Sequence, residues 1–153
     1  MSESLDILPE LIEATREGVD FYVEAADAVK DSELSKLFRR MAEAKSTLAQ
    51  ELSQEVKPST VRKRAAARSS SPAEWVSHVN ATYTALRGGL TKSIRLEQVA
   101  QIEQAEADVL GRIQRIRHNR DHSYVVRVLA MQYEARARVV HEGLRARKRR
   151  LAN

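Results

Sequence analysis

Three positions in this chain of 153 residues hold a polar or charged side chain where the surrounding pattern asks for an apolar one. Leu5, Leu8, Ile12, Val19, Tyr22, Ala26 and Val29 recur at three- and four-residue spacing, and Thr15 fills the one gap. A second stripe runs Leu34, Phe38, Met41, Leu48, Leu52, and the position between Met41 and Leu48 is Lys45. A third runs Val99, Ile102, Val109, Ile113, Ile116, with Glu106 between Ile102 and Val109. Such spacing is the face an α-helix turns toward a core. A lone ammonium there is costly unless paired or neutralised. Glu106, the only acidic residue read as standing in a core register, is the natural partner. The expectation is an ion pair between Lys45 and Glu106 across the helical core.

The other chemistry to test for is a pair of metal ions held between helices. It calls for one Glu from each of two helices and a Glu-x-x-His from each of two more, because residues three apart share a helix face. Here Glu43 is followed three residues later by Ser46, and Glu134 by Ala137. Were a site present, its ligands would come from Glu103, Glu106, Glu134 and His141. One well-placed carboxylate beside a lysine does not hold two cations, so no metal and no cofactor is expected. His118 and His122 read as a solvated turn, and His141 as a hydrogen-bonding residue one position off the stripe. Cysteine is absent, which excludes thiolate zinc sites, disulfides and a cysteine nucleophile. No phosphate-binding glycine loop or Ser-His-Asp arrangement occurs. An enzyme is not expected.

Charge divides the chain. Residues 1–56 carry a net −7 and residues 57–153 a net +12. The basic residues Arg62, Lys63, Arg64 and Arg68, with Arg145, Arg147, Lys148, Arg149 and Arg150, form a patch that could neutralise phosphates without reading sequence. No aromatic residues are interleaved with them for base stacking. The favoured reading is therefore that acidic helices pack beside basic ones, within the molecule or between copies. That makes a homo-oligomer or a protein partner the expectation, with a nucleic-acid binder as the alternative. No apolar run approaches the roughly 20 residues of a membrane span, and the N-terminus lacks the regions of a signal peptide, so a cytoplasmic location is expected.

These residues need long helices to place them. A hairpin over 1–56 is predicted, turning at Lys30-Asp31-Ser32 with Asp31 or Ser32 as cap. Pro9 falls near the first turn of helix 1, where a missing N–H costs little. Residues 57–71 form a basic, serine-rich, exposed connection, and Ser71-Pro72 starts a helix to about Arg87, anchored by Trp75. Gly88-Gly89 ends or bends it. A fourth helix runs from about Ser93 to His118, and a fifth, capped by Asp121, to about Arg150. Tyr22, Tyr83 and Tyr133 lie on apolar stripes as core residues with a polar tip. The chain reads as one all-α domain over 1–153, with helices over 72–150 completing the bundle begun by the hairpin.

Leu11-Ile12-Glu13-Ala14-Thr15-Arg16-Glu17-Gly18, Phe21-Tyr22-Val23-Glu24-Ala25-Ala26, Asp31-Ser32-Glu33-Leu34-Ser35-Lys36-Leu37-Phe38 and Leu48-Ala49-Gln50-Glu51-Leu52-Ser53-Gln54-Glu55-Val56 carry a resemblance. So do Gln132-Tyr133-Glu134 and His141-Glu142-Gly143-Leu144-Arg145. Together they resemble a bacterial ferritin-like four-helix-bundle family of unassigned function. The resemblance implies an antiparallel four-helix bundle with an additional helix on a long crossover connection. It also implies that Thr15 stands where ferritins carry Glu. Where that family tends to have His-Arg-Gly-Trp, this chain has Asn80-Ala81-Thr82-Tyr83. The resemblance is silent on chemistry; without an intact di-metal set the expected function is a structural or interaction role, with a degenerate di-metal carboxylate oxidase as a further alternative.

Overall fold

Local capping chemistry sets the helix boundaries. In the computed structural model, which describes residues 2–56, 74–90 and 94–152 and the side chains from residue 7 onward, five helices account for nearly all of the described residues. They are α1 (Ser2–Ala28), α2 (Ser32–Glu55), α3 (Glu74–Gly89), α4 (Leu96–His118) and α5 (Tyr124–Ala152), and there is no strand among the described residues. The connection over 57–71, the Ser71-Pro72 start and the basic residues Arg62, Lys63, Arg64 and Arg68 lie outside the described residues.

Asp31 caps α2, its carboxylate accepting from the N–H groups of Glu33 at 3.0 Å and Leu34 at 3.1 Å. These would otherwise be orphan donors of the first turn. Three boundaries differ from expectation. Helix α1 begins at Ser2, so Pro9 sits inside it. There the missing N–H removes one rung of the backbone ladder. Helix α4 begins at Leu96 because Gln98 ties down the residues before it. Its side-chain oxygen accepts from the Arg95 N–H at 2.9 Å and its amide donates to the Gly89 carbonyl at 2.9 Å. The cap of α5 is Ser123, whose hydroxyl accepts from the Val126 N–H at 3.2 Å. Asp121 instead donates its backbone N–H to the Asn119 side chain within the turn.

Ion pairs and hydrogen bonds between helices reveal the direction of each. Arg147 and Arg150, at the end of α5, pair with Asp31 and Glu33, at the start of α2. Lys148 and Arg145 pair with Glu103, near the start of α4. Thus α1 and α5 run one way and α2 and α4 the other. Helix α3 runs alongside α1. Trp75 at its start donates to Glu10 at 3.0 Å, and Arg87 near its end pairs with Glu24 at 2.5 Å. The packed pairs close a ring in the order α1, α2, α5, α4, α3 and back to α1. Their inward stripes share one apolar core, which includes Leu11, Phe21, Phe38, Ile102, Ile113 and Leu144. Among the described residues no helix is long and apolar enough to cross a membrane.

A candidate polar centre of the bundle

Each of the five helices sends one polar side chain to the middle of this core. Lys45 is 0% exposed, Glu106 1%, and Tyr22, Tyr83 and Tyr133 are buried with them. Their neighbours along each stripe are apolar, so the charged atoms find their partners among these five side chains. Lys45 Nζ stands 2.8 Å from Glu106 Oε1 and donates to the Tyr133 hydroxyl at 3.0 Å. The other oxygen, Glu106 Oε2, accepts from Tyr22 and from Tyr83, each at 2.6 Å. The Tyr133 hydroxyl donates onward to Met41 Sδ at 3.7 Å. The ammonium also lies 5.4 Å from the centre of the Tyr133 ring and 5.9 Å from that of Tyr22, near enough to be drawn by the ring quadrupoles.

The rings hold these hydroxyls in place. Phe21 stacks on Tyr83 with centroids 4.9 Å apart and meets Tyr22 edge-on at 4.9 Å. Gly18 makes the room. A Cβ there would come within 2.7 Å of Lys45 Cδ and 3.1 Å of the Tyr83 hydroxyl. Thr15, one turn before Gly18, is 1% exposed and its hydroxyl finds no hydrogen-bond partner.

Burial opposes both charges, and each is kept by the other. For Glu106 burial pushes the pKa up, but the Lys45 charge and the hydrogen bonds from Lys45, Tyr22 and Tyr83 outweigh it, and the carboxyl stays below its ordinary value. For Lys45 burial pushes down, and the Glu106 charge, leading the opposing contributions, raises the ammonium well above its ordinary value. Burial, then the Glu106 charge, drives Tyr22 and Tyr83 well above the usual phenol range. Burial also raises Tyr133, against the pull of Lys45. At neutral pH the centre therefore holds one ammonium, one carboxylate and three intact phenols. None of the five is a free base or a free nucleophile.

The remaining candidate ligands are dispersed. Glu103 is taken up by Arg145 and Lys148. His141 is half-buried, with Nε2 unpartnered. Burial lowers its pKa, which the Glu106 charge only partly opposes. Glu134 corrects the reading that Glu106 is the one buried acid: it is 2% exposed. It accepts from Gln114 at 3.0 Å, Arg117 at 2.6 Å and Arg138 at 2.5 Å. Burial would raise its carboxyl, but these three donors bring it down to about 2. Its helical position beside Tyr133 hid it, because only the fold shows Arg117 reaching it from α4. His122 is likewise buried rather than solvated. Among the described residues no group of three or more His, Asp or Glu side chains is placed to hold a metal ion.

The residues at the centre do not fit a di-metal site. Both oxygens of its single carboxylate are engaged, and an ammonium stands where a cation would have to sit.

A family profile described as Domain of unknown function (DUF2383) matches residues 3–119. That span covers well over half of the sequence. The chain belongs to this family. The DUF2383 span takes in Tyr22, Lys45, Tyr83 and Glu106, while Tyr133 and Glu134 on α5 lie beyond the matched residues. Neither the curated proteins nor the solved structures hold a match to this chain.

Proposed function

We propose that this protein is a non-catalytic, ferritin-like helical bundle with a structural or interaction role, its centre sealed by a built-in cation in place of metal ions. The observation that carries the reading is the Lys45–Glu106 contact at 2.8 Å, closed off by three tyrosines. An ammonium whose pKa is raised is no nucleophile, and phenols whose pKa values are raised are no bases. Helix directions support the ferritin-like part. Two helices run each way and α3 lies on the return connection, which is the layout the resemblance implies. That support is of fold and not of activity.

Elemental analysis of the native full chain, with melting measured in added manganese or ferrous iron, tests the reading. The expected result is no stoichiometric metal and no shift in melting temperature. Bound metal near one or two ions per chain, or a melting temperature that rises with metal, overturns it.

The nucleic-acid alternative loses part of its footing at the end of α5. Arg145, Arg147, Lys148 and Arg150 are engaged with Glu103, Asp31 and Glu33. A polyanion would have to displace those carboxylates. Binding to unrelated DNA sequences that falls steeply with salt would revive that alternative.

A further inference from the structure

Helix α5 has two apolar faces. One, through Val126, Ala130, Tyr133, Ala137, Val140 and Leu144, is buried in the bundle. The other, through Tyr124, Val128, Met131, Ala135 and Val139, repeats at spacings of four, three, four and four on the opposite side. Most of it is open: Tyr124 is 74% exposed, Val139 54% and Met131 45%, while Val128 is half-buried. Five of the seven large apolar residues exposed among the described ones lie on this helix. A solvated helix has no need of a second stripe, whereas one that packs on a partner does.

We infer that this face pairs with the same face of a second copy, the two α5 helices antiparallel across a twofold axis near Ala135. Charge complementarity and shape favour a second copy over a foreign helix. Arg127, half-buried on one edge of the stripe, and Glu142, exposed where the stripe continues one turn past Val139, have no ion partner among the described residues. At 1.5 Å per residue, Arg127 lies about 12 Å before Ala135 and Glu142 about 10.5 Å after it. An antiparallel twofold therefore sets Arg127 of each copy opposite Glu142 of the other. The same register sets Met131 against Val139 and places alanine, the smallest residue of the stripe, at the crossing, where helices approach most closely. Arg138, on the same edge, adds no repulsion because Glu134 already holds it at 2.5 Å.

This names the partner for the interaction role proposed above. It does not depend on the metal-free centre, so failure of either leaves the other standing. The test is the solution mass of the full chain, followed by light scattering over a wide concentration range. The expected mass rises from 17.3 kDa toward twice that value. Arg127→Glu or Glu142→Arg alone weakens the dimer about tenfold, and the two together restore it. Met131→Glu keeps the helical circular dichroism of the native chain and stays single. A chain of single-copy mass at every concentration overturns the pairing and leaves the stripe to a foreign helix. A dimer indifferent to Met131→Glu, or one abolished by it but indifferent to both charge reversals, overturns the face or the register.

Discussion

Gly18 and Gly111 both sit inside helices, where glycine costs roughly 1 kcal/mol relative to alanine, yet they have opposite surroundings. An added Cβ at Gly111 meets nothing within 4 Å, while one at Gly18 runs into Lys45 and Tyr83. Gly111→Ala should stabilise the protein by about 0.5–1 kcal/mol, and Gly18→Ala should destabilise it by about 1–3 kcal/mol, both read from urea unfolding. Thr15 adds a second contrast. Its buried hydroxyl is unpartnered, so Thr15→Val, close in shape, should leave stability unchanged or raise it by about 1 kcal/mol in the same assay. Thr15, Lys45 and Glu106 are legible in the sequence because each interrupts a regular stripe. The convergence of three tyrosine hydroxyls is not, since an aromatic residue on a stripe reads as core whether or not its tip finds a partner. Gly18 stands one residue off the α1 stripe and gives no such signal, and what it faces emerges only when α2 and α3 are in place.

At the scale of single elements, the apolar period and the turn residues determine which helices exist, and capping determines where they start. Asp31 was readable because it directly precedes the second stripe. The start of α5 was not, since Asp121 and Ser123 are both competent caps two residues apart and the choice falls to the turn that packs His122 inward. Asp31 also holds Arg147 from the far end of α5, so one carboxylate serves a helix start and a tertiary contact. Asp31→Ala should therefore cost about 1–2 kcal/mol, whereas Asp121→Ala should stay within about 0.5 kcal/mol of the parent, as measured by thermal or urea unfolding. Equal losses at the two positions would contradict the assignment of the caps. The outer stripe of α5 was present in the sequence too, but a helix with two apolar faces looks like one broad face until the bundle claims one of them.

For the whole molecule, stability should follow pH as a plateau with two flanks. Glu106 and Glu134 have folded-state pKa values below the ordinary 4.5. Their contribution is complete above that value and is lost as pH falls through the folded values, which for Glu134 is about 2. Lys45 is raised above the ordinary 10.5, and Tyr22, Tyr83 and Tyr133 above 10.0. Their contribution is complete below those values and is lost as pH rises through the folded ones. Melting temperature should be level from roughly pH 7.5 to 9 and fall on both sides, the acid decline beginning where His122 and His141, held below the ordinary 6.5 by burial, must take up protons. In Lys45→Met the acid flank should move upward, because Glu106 then loses the charge that holds its carboxyl low. The uneven charge of the chain was plain in the sequence, and part of it is settled internally, where Arg87, Arg147 and Arg150 meet Glu24, Asp31 and Glu33 of the acidic hairpin.

The central claim is that Lys45 and Glu106 act as one unit at the heart of the bundle, and a double-mutant cycle on Lys45→Met and Glu106→Gln tests it most directly. Either change alone strands a buried charge or its hydrogen-bonding partners and should cost about 3–5 kcal/mol, while the double variant should cost clearly less than the two together, a coupling of at least about 2 kcal/mol in urea unfolding at neutral pH. Effects that add to within about 0.5 kcal/mol would contradict it.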